Sequence, residues 1–237
     1  FPAGWYDAIR RGLLSWNAAF EKIGYRDAVQ VRPYPRDDAS FDPNDIKFSC
    51  VKYANTMGES LSSSARIDPR SGEILSATIC IPHNVTSRIR TDLFVQLGAA
   101  DPDARRVKMS PELFGKALAA DVARHAGACL GLAVNYAGSY CVPVDSLRSP
   151  SFTQRYGISA SIMDELPYNL VAQPGDKERG VALMQQGPGV YDEYVVDWLY
   201  RPVPGAVTPE DEVAELDRRI AARRSDPMCL YTPPPVA

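Results

Sequence analysis

The residues best suited to chemistry lie in one short stretch, Arg124–Tyr136, which reads RHAGACLGLAVNY. His125 and Cys129 are four residues apart, a spacing that puts two side chains on one face of a helix. Histidine and cysteine both bind zinc, and Asn135 follows at the spacing of a third ligand in helical zinc motifs. Asparagine is a poor ligand, however, and Ala126 stands where such motifs carry a catalytic glutamate. The stretch indicates either a non-standard metal site or a half-buried histidine beside a small thiol.

A long helix is predicted to carry most of this stretch. Ser110 is a favourable N-cap residue, Pro111 suits the first helical position, and Gly131 ends the helix after about Leu130. Helical spacing also puts Asp121, Arg124 and Ala128 on one face. We therefore expect an ion pair between Asp121 and Arg124.

The elements that precede this helix are predicted from apolar spacing. Apolar residues at intervals of three and four predict one helix over residues 5–23, ended by Gly24. Residues Met57–Ala65 are small and polar and predict a loop. Alternating apolar residues predict three strands, at Ala28–Arg32, Ile46–Tyr53 and Glu73–Ile81.

The part of the chain after Gly131 is predicted to be mostly irregular. It contains a tight turn at Ser161–Asp164, a short helix near Tyr191–Leu199 and a last helix from Thr208 to about Arg224. We expect three side chains of the last helix to face inward, those of Val213, Leu216 and Ile220. The acidic pair Asp192-Glu193 suggests acid–base chemistry, but neighbours on a helix point apart.

Five further motifs occur in the order and spacing of one protein family. They are Gly12–Glu21 (GLLSWNAAFE), Asp68–Leu75 (DPRSGEIL), Gly157–Asp164 (GISASIMD), Asn169–Pro174 (NLVAQP) and Tyr191-Asp192 followed by Trp198. With the stretch Arg124–Tyr136, they resemble the metzincin-like domain of large bacterial zinc-dependent metalloproteases, found mainly in the Bacteroidetes. The resemblance covers most of the chain and is strongest in the scaffold.

The resemblance implies that the zinc-binding motif has lost its ligands. The family's helix reads like H-E-V-G-H-x-L-G-L-R-H-N-F. Aligned on its glycines and asparagine, Arg124 takes the place of the first histidine and His125 that of the catalytic glutamate. Ala128 and Val134 take the places of the second and third histidines. Alanine and valine have no donor atom, and arginine keeps its positive charge, so we expect no zinc or other cofactor in this chain.

The resemblance also implies the fold. We expect an α+β, zincin-like architecture: a mixed sheet with helices packed on it, the helix of the lost motif, and a mostly irregular and helical C-terminal lobe. Residues 1–135 are predicted to form the sheet-and-helix lobe, with the first strand of such folds absent. Residues 136–237 are predicted to form the lobe with the Met-turn. In the family the methionine, here Met163, lies beneath the metal.

Three functional hypotheses remain open. The first is a catalytically inactive pseudopeptidase that binds a peptide or protein in the former substrate cleft, by strand addition near Glu73–Ile81. The second is a metallopeptidase whose metal site is centred on His125 and Cys129. The third is a scaffold domain of a larger exported protein. His83, the only other histidine, is expected to be solvated.

Composition bounds the remaining possibilities. A net charge of −3 without a basic run gives no support for nucleic-acid binding, and no apolar stretch is long enough to span a membrane. Five cysteines form no CxxC pair, and we expect free thiols. A partner for Cys129 would be Cys141, if the loop after the helix folds back. Because the resembling proteins are exported, the chain is expected outside the cytoplasm.

Overall fold

The computed structural model describes residues 1–234, which form eight α-helices and a small three-stranded sheet. The helices are α1 (Trp5–Leu14), α2 (Asn17–Lys22), α3 (Val85–Leu97), α4 (Pro111–Cys129), α5 (Ala137–Tyr140), α6 (Pro150–Tyr156), α7 (Val190–Tyr200) and α8 (Pro209–Arg223). The strands are β1 (Cys50–Ala54), β2 (Ser62–Ile67) and β3 (Ile74–Pro82). Short 3₁₀ turns occur at Pro102–Arg105, Val144–Arg148 and Pro227–Cys229. The predicted α+β class is confirmed.

The sheet has the strand order β1-β3-β2. The central strand β3 runs parallel to β1 and antiparallel to β2. Within residues 1–234 no further strand joins this sheet, so β1 and β2 are its two edges. The helix α4 packs against α1 and against the strands β2 and β3.

The predicted helix over residues 5–23 is two helices with a break at Ser15 and Trp16. The Ser15 hydroxyl donates to the Gly12 carbonyl (2.7 Å), a local bond that competes with the helical ladder. The indole of Trp16 is fully buried and donates to the Ala123 carbonyl on α4 (2.8 Å). The break places this indole beneath α4.

Two predictions about strands are wrong. Residues Ala28–Arg32 form no strand, because the amide side chain of Asn17 binds the N–H and the carbonyl of Val29 (2.8 and 2.9 Å). A side chain thus replaces a neighbouring strand as the hydrogen-bonding partner. The predicted loop over Met57–Ala65 contains the start of β2, whose serine-rich sequence lacks the usual strand composition.

The helix α3 was not predicted, although four of its residues belong to the core. Four residues of α3 recur every four positions and are all buried: Val85, Ile89, Leu93 and Leu97.

The helix α4 begins where the sequence predicts, since the Ser110 hydroxyl accepts a bond from the Leu113 N–H (3.4 Å).

The last helix, α8, has the predicted bounds but not the predicted orientation. Val213 and Ile220 are exposed, so the expectation that they face inward is wrong. A polar contact joins α8 to α7: the Arg219 guanidinium donates to the carbonyls of Asp197 (3.3 Å) and Arg201 (3.1 Å). This basic group meets carbonyls in the last turn of α7 and just beyond it, where helix carbonyls lack partners within the helix.

Candidate functional site

The Met-turn lies directly beneath α4. Met163 is buried, and a Cβ added to Gly127 on α4 would lie 2.5 Å from its sulfur. The same Cβ would lie 2.5 Å from the ring of Trp16. Only glycine fits this contact, so Gly127 sets how closely the turn approaches the helix.

Asp192 holds the Met-turn from below. Its carboxylate accepts bonds from the Ser161 hydroxyl (2.6 Å), the Ile162 N–H (2.7 Å) and the Gly189 N–H (2.7 Å). Burial raises the pKa of Asp192 to about 7, against the effect of these three donors. Its neighbour Glu193 points elsewhere and pairs with Lys22 (2.5 Å). Asp192 therefore positions the turn and faces no open cleft.

Asn135 joins three segments where the chain leaves α4. It is fully buried, and its backbone N–H donates to the Met163 carbonyl (3.2 Å). Its side-chain amide donates to the Leu230 carbonyl (2.9 Å) and accepts from the N–H groups of Ala137 (3.0 Å) and Thr232 (2.9 Å). The amide of Asn135 is thus engaged by backbone groups, including those of the C-terminal tail.

The side chains of His125 and Cys129 point toward the edge strand β2. The imidazole Nδ1 of His125 lies 2.9 Å from the Ser63 hydroxyl, and the Cys129 thiol lies 3.8 Å from the Ser64 carbonyl. Burial, and then the charges of Arg124 and Arg88, lower the pKa of His125 to about 4. The imidazole is therefore neutral near pH 7, and with so low a pKa it is a weak general base.

A cleft of about 260 Å³ opens beside α4, between α3 and the segment after Met163. Arg88 on α3 bonds Asp92 (3.0 Å) and the mostly buried Asp121 of α4. The expected pair between Asp121 and Arg124 is therefore wrong, because α3, absent from the predicted elements, supplies a closer cation. Arg124 lies at the mouth of the cleft, with its nearest carboxylate, Glu165, 4.0 Å away.

The other positions that the resemblance aligns with zinc-binding histidines, Ala128 and Val134, carry no donor atom. Ala128 is exposed, and Val134 is partly buried after the helix has ended. Among residues 1–234, no group of three or more His, Cys, Asp or Glu side chains is placed to hold a metal ion. A guanidinium and two hydrocarbon side chains do not form the donor set that a tetrahedral zinc site needs. The other histidine, His83, is exposed, and its Nδ1 lies 2.7 Å from the Tyr53 hydroxyl.

The free edge of the sheet beside α4 is β2, and the hydrogen bonding of β3 shows which backbone groups of β2 face outward. The Ala77 N–H donates to the Ser49 hydroxyl, on the β1 side of β3 (3.0 Å). Both backbone groups of a strand residue point to the same side, so those of Ala77 point away from β2. Its register partner Ala65, and likewise Ser63, therefore turns its N–H and carbonyl to the free edge.

This register corrects the predicted place of strand addition. The strand β3 includes nearly all of Glu73–Ile81 and is paired on both sides, so it has no edge to offer. The strand order β1-β3-β2 makes β2 an edge strand, and the sequence alone does not give this order.

The five cysteines are free thiols, as predicted. Cys129 contacts β2, whereas the Cys141 thiol donates to the Gly138 carbonyl (3.1 Å).

Comparison with known proteins finds a match to one protein family. A family model described as Met-zincin matches residues 106–235, a little more than half of the chain. No curated protein and no solved structure matches the chain. None of the helices over residues 1–234 is long and apolar enough to cross a membrane.

Proposed function

Because the chain belongs to the Met-zincin family, we propose that it is a catalytically inactive metallopeptidase homologue, a pseudopeptidase. Its former substrate cleft binds an extended peptide, or a segment of a protein partner. The domain acts as a binding or scaffold part of an exported bacterial protein, the setting of the proteins that it resembles.

The observation that carries this proposal is the position of Arg124. In the register of the family motif it replaces the first zinc-binding histidine, and its guanidinium lies at the cleft mouth near Glu165. A guanidinium stays protonated in proteins and repels a second cation. Ala128 and Val134 contribute no donor atom, so the loss does not depend on one residue.

The binding role is supported by what remains intact. The edge strand β2 offers the outward backbone groups of Ser63 and Ala65, and strand addition uses such groups without a metal. Arg124 lines the charged cleft, and His125 and Cys129 on the same helix face β2, so the cleft and the edge strand flank the same stretch of α4.

Zinc content is the first test. The purified protein, never exposed to chelator, is measured by elemental analysis beside a variant that restores the whole motif. That variant carries Arg124→His, His125→Glu, Ala128→His and Val134→His. We expect zinc far below one equivalent in the natural chain and near one equivalent in the restored variant.

Each outcome has a distinct meaning. One zinc per natural chain, lost in a Cys129→Ser variant, would replace the proposal with a metallopeptidase centred on His125 and Cys129. A folded restored variant that binds no zinc would show that the cleft no longer has the geometry of a zincin site. Peptidase activity in the natural chain after metal removal would refute the inactive assignment directly.

A further inference from the structure

A second concave surface lies on the opposite face of α3 from the charged cleft. Arg88 and Asp92 line the cleft beside α4, whereas Arg90 and Phe94 line a separate groove. Residues two positions apart on a helix are rotated by about 200°, which separates the two surfaces. The groove has a volume of about 290 Å³ and lies between α3 and the 3₁₀ turn Pro102–Arg105.

The groove collects positive charge in a chain whose net charge is −3. Arg90, Arg105 and Arg106 line it, and none of its lining residues in the described part of the chain is acidic. Of the three arginines, Arg106 has a carboxylate partner, Asp103 at 3.1 Å. All three are exposed, so their guanidinium groups are available to a partner.

Apolar side chains stand beside these charges. Phe94 is 58% exposed and Val107 is 84% exposed. Both line the groove, whose floor includes the buried Ala104. Arginine and aromatic residues together are typical of protein-binding surfaces, where an apolar anchor lies within a polar rim.

We propose that this groove, here named the arginine groove, binds an acidic peptide segment of a partner protein. Guanidinium groups match carboxylates in a bidentate geometry, so Arg90 and Arg105 pair with glutamate or aspartate side chains. An aliphatic or aromatic side chain of the same segment packs between Phe94 and Val107. A sulfated glycan or a nucleic acid would satisfy the arginines, but it has no aliphatic side chain for Val107.

The test uses the whole chain and a fluorescein-labelled peptide of eight residues in which leucines alternate with glutamate pairs. Binding is followed by fluorescence polarisation at about 0.05 M salt, where screening is weak. The same peptide with glutamine in place of glutamate is the matched ligand control. We expect the acidic peptide to bind and the glutamine peptide to bind at least about tenfold more weakly.

Three variants assign the binding to the arginine groove. The double variant Arg90→Glu/Arg105→Glu is expected to weaken the peptide about tenfold or more. The variant Arg10→Glu/Arg36→Glu makes the same charge change at exposed arginines elsewhere and is expected to change affinity less than about twofold. Phe94→Ser keeps every charge and is expected to weaken the peptide about threefold or more.

The results that overturn the proposal are specific. Failure of the acidic peptide to bind, or equal weakening by the two double variants, would show that the arginine groove is not a peptide site. A heparin fragment or a single-stranded oligonucleotide that binds more tightly than the peptide, with no effect of Phe94→Ser, would replace it with a general polyanion site.

Discussion

Asp192 gives the structure a stability that depends on pH in an unusual direction. Its carboxyl group is fully buried, and burial raises its pKa from 3.8 to about 7. Between these values the unfolded chain releases the proton while the folded chain keeps it, so the folded state loses stability as pH rises. At about 1.4 kcal/mol per unit of pKa, the loss from this group approaches about 4 kcal/mol.

The variant Asp192→Asn isolates this effect, because an amide is a neutral analogue of the protonated carboxyl group. Its oxygen can accept the N–H bonds of Ile162 and Gly189, and its NH₂ can donate to the Ser161 hydroxyl. We therefore expect the variant to match the natural protein near pH 4. Above pH 7 it is expected to be the more stable of the two, by up to about 4 kcal/mol.

The assay is urea unfolding of both proteins at intervals from pH 4 to pH 8. The difference between the two free energies of unfolding removes the contributions of all other titrating groups. If that difference stays constant across the range, or if the natural protein is the more stable at pH 8, the three donors outweigh burial and the reasoning is wrong.

Three further predictions concern packing, the cleft and the sheet edge. Gly127→Ala is expected to destabilise the protein by about 1–3 kcal/mol through overpacking, measured by urea unfolding. Arg124→Ala is expected to cost less than about 1 kcal/mol, whereas Arg88→Ala strands a mostly buried carboxylate and costs about 3 kcal/mol or more. Ala65→Pro removes an outward N–H and is expected to leave the melting temperature nearly unchanged, while Ser64→Pro removes a ladder bond and lowers it sharply.

Each of these three predictions has a result that would contradict it. An unchanged free energy of unfolding in Gly127→Ala would mean that Met163 and Trp16 can move apart. Equal losses of unfolding free energy in Arg124→Ala and Arg88→Ala would show that Arg124 stabilises the fold through a partner that the cleft geometry does not contain. Equal losses from the two proline variants would contradict the register of β2.

The long helix and the Met-turn were predictable because their signals are local. Ser110 and Pro111 mark the start of α4, and the segment Ser161–Asp164 forms the turn that its motif implies. The family resemblance then supplied the architecture, which no local pattern of apolar residues provides.

The helix α3 was missed although the spacing of its apolar residues is a local signal, whereas other errors arose where distant groups decide the local structure. The amide of Asn17 satisfies the backbone of Val29, so an alternating sequence forms no strand. Asp121 pairs with an arginine of α3, 33 positions earlier, and not with its helical neighbour. Asp192 was considered for acid–base chemistry, yet its partners are 30 and 31 residues away at the Met-turn.

The Asn135 amide also bears on the order in which the chain assembles during synthesis. Its partners Leu230 and Thr232 lie 95 and 97 residues later, so the ribosome makes them long after α4. Until Leu230 and Thr232 have been made, the side-chain amide of Asn135 lacks two of its three hydrogen-bonding partners, and polar groups at the end of α4 stay unpaired. The bonds from the Asn135 amide to Leu230 and Thr232 therefore form only after the segments of α4 and the Met-turn have been made. A nascent chain that stops before Leu230 keeps the bonds of Asp192 to the Met-turn, but its Asn135 amide lacks two of its partners at the exit of α4.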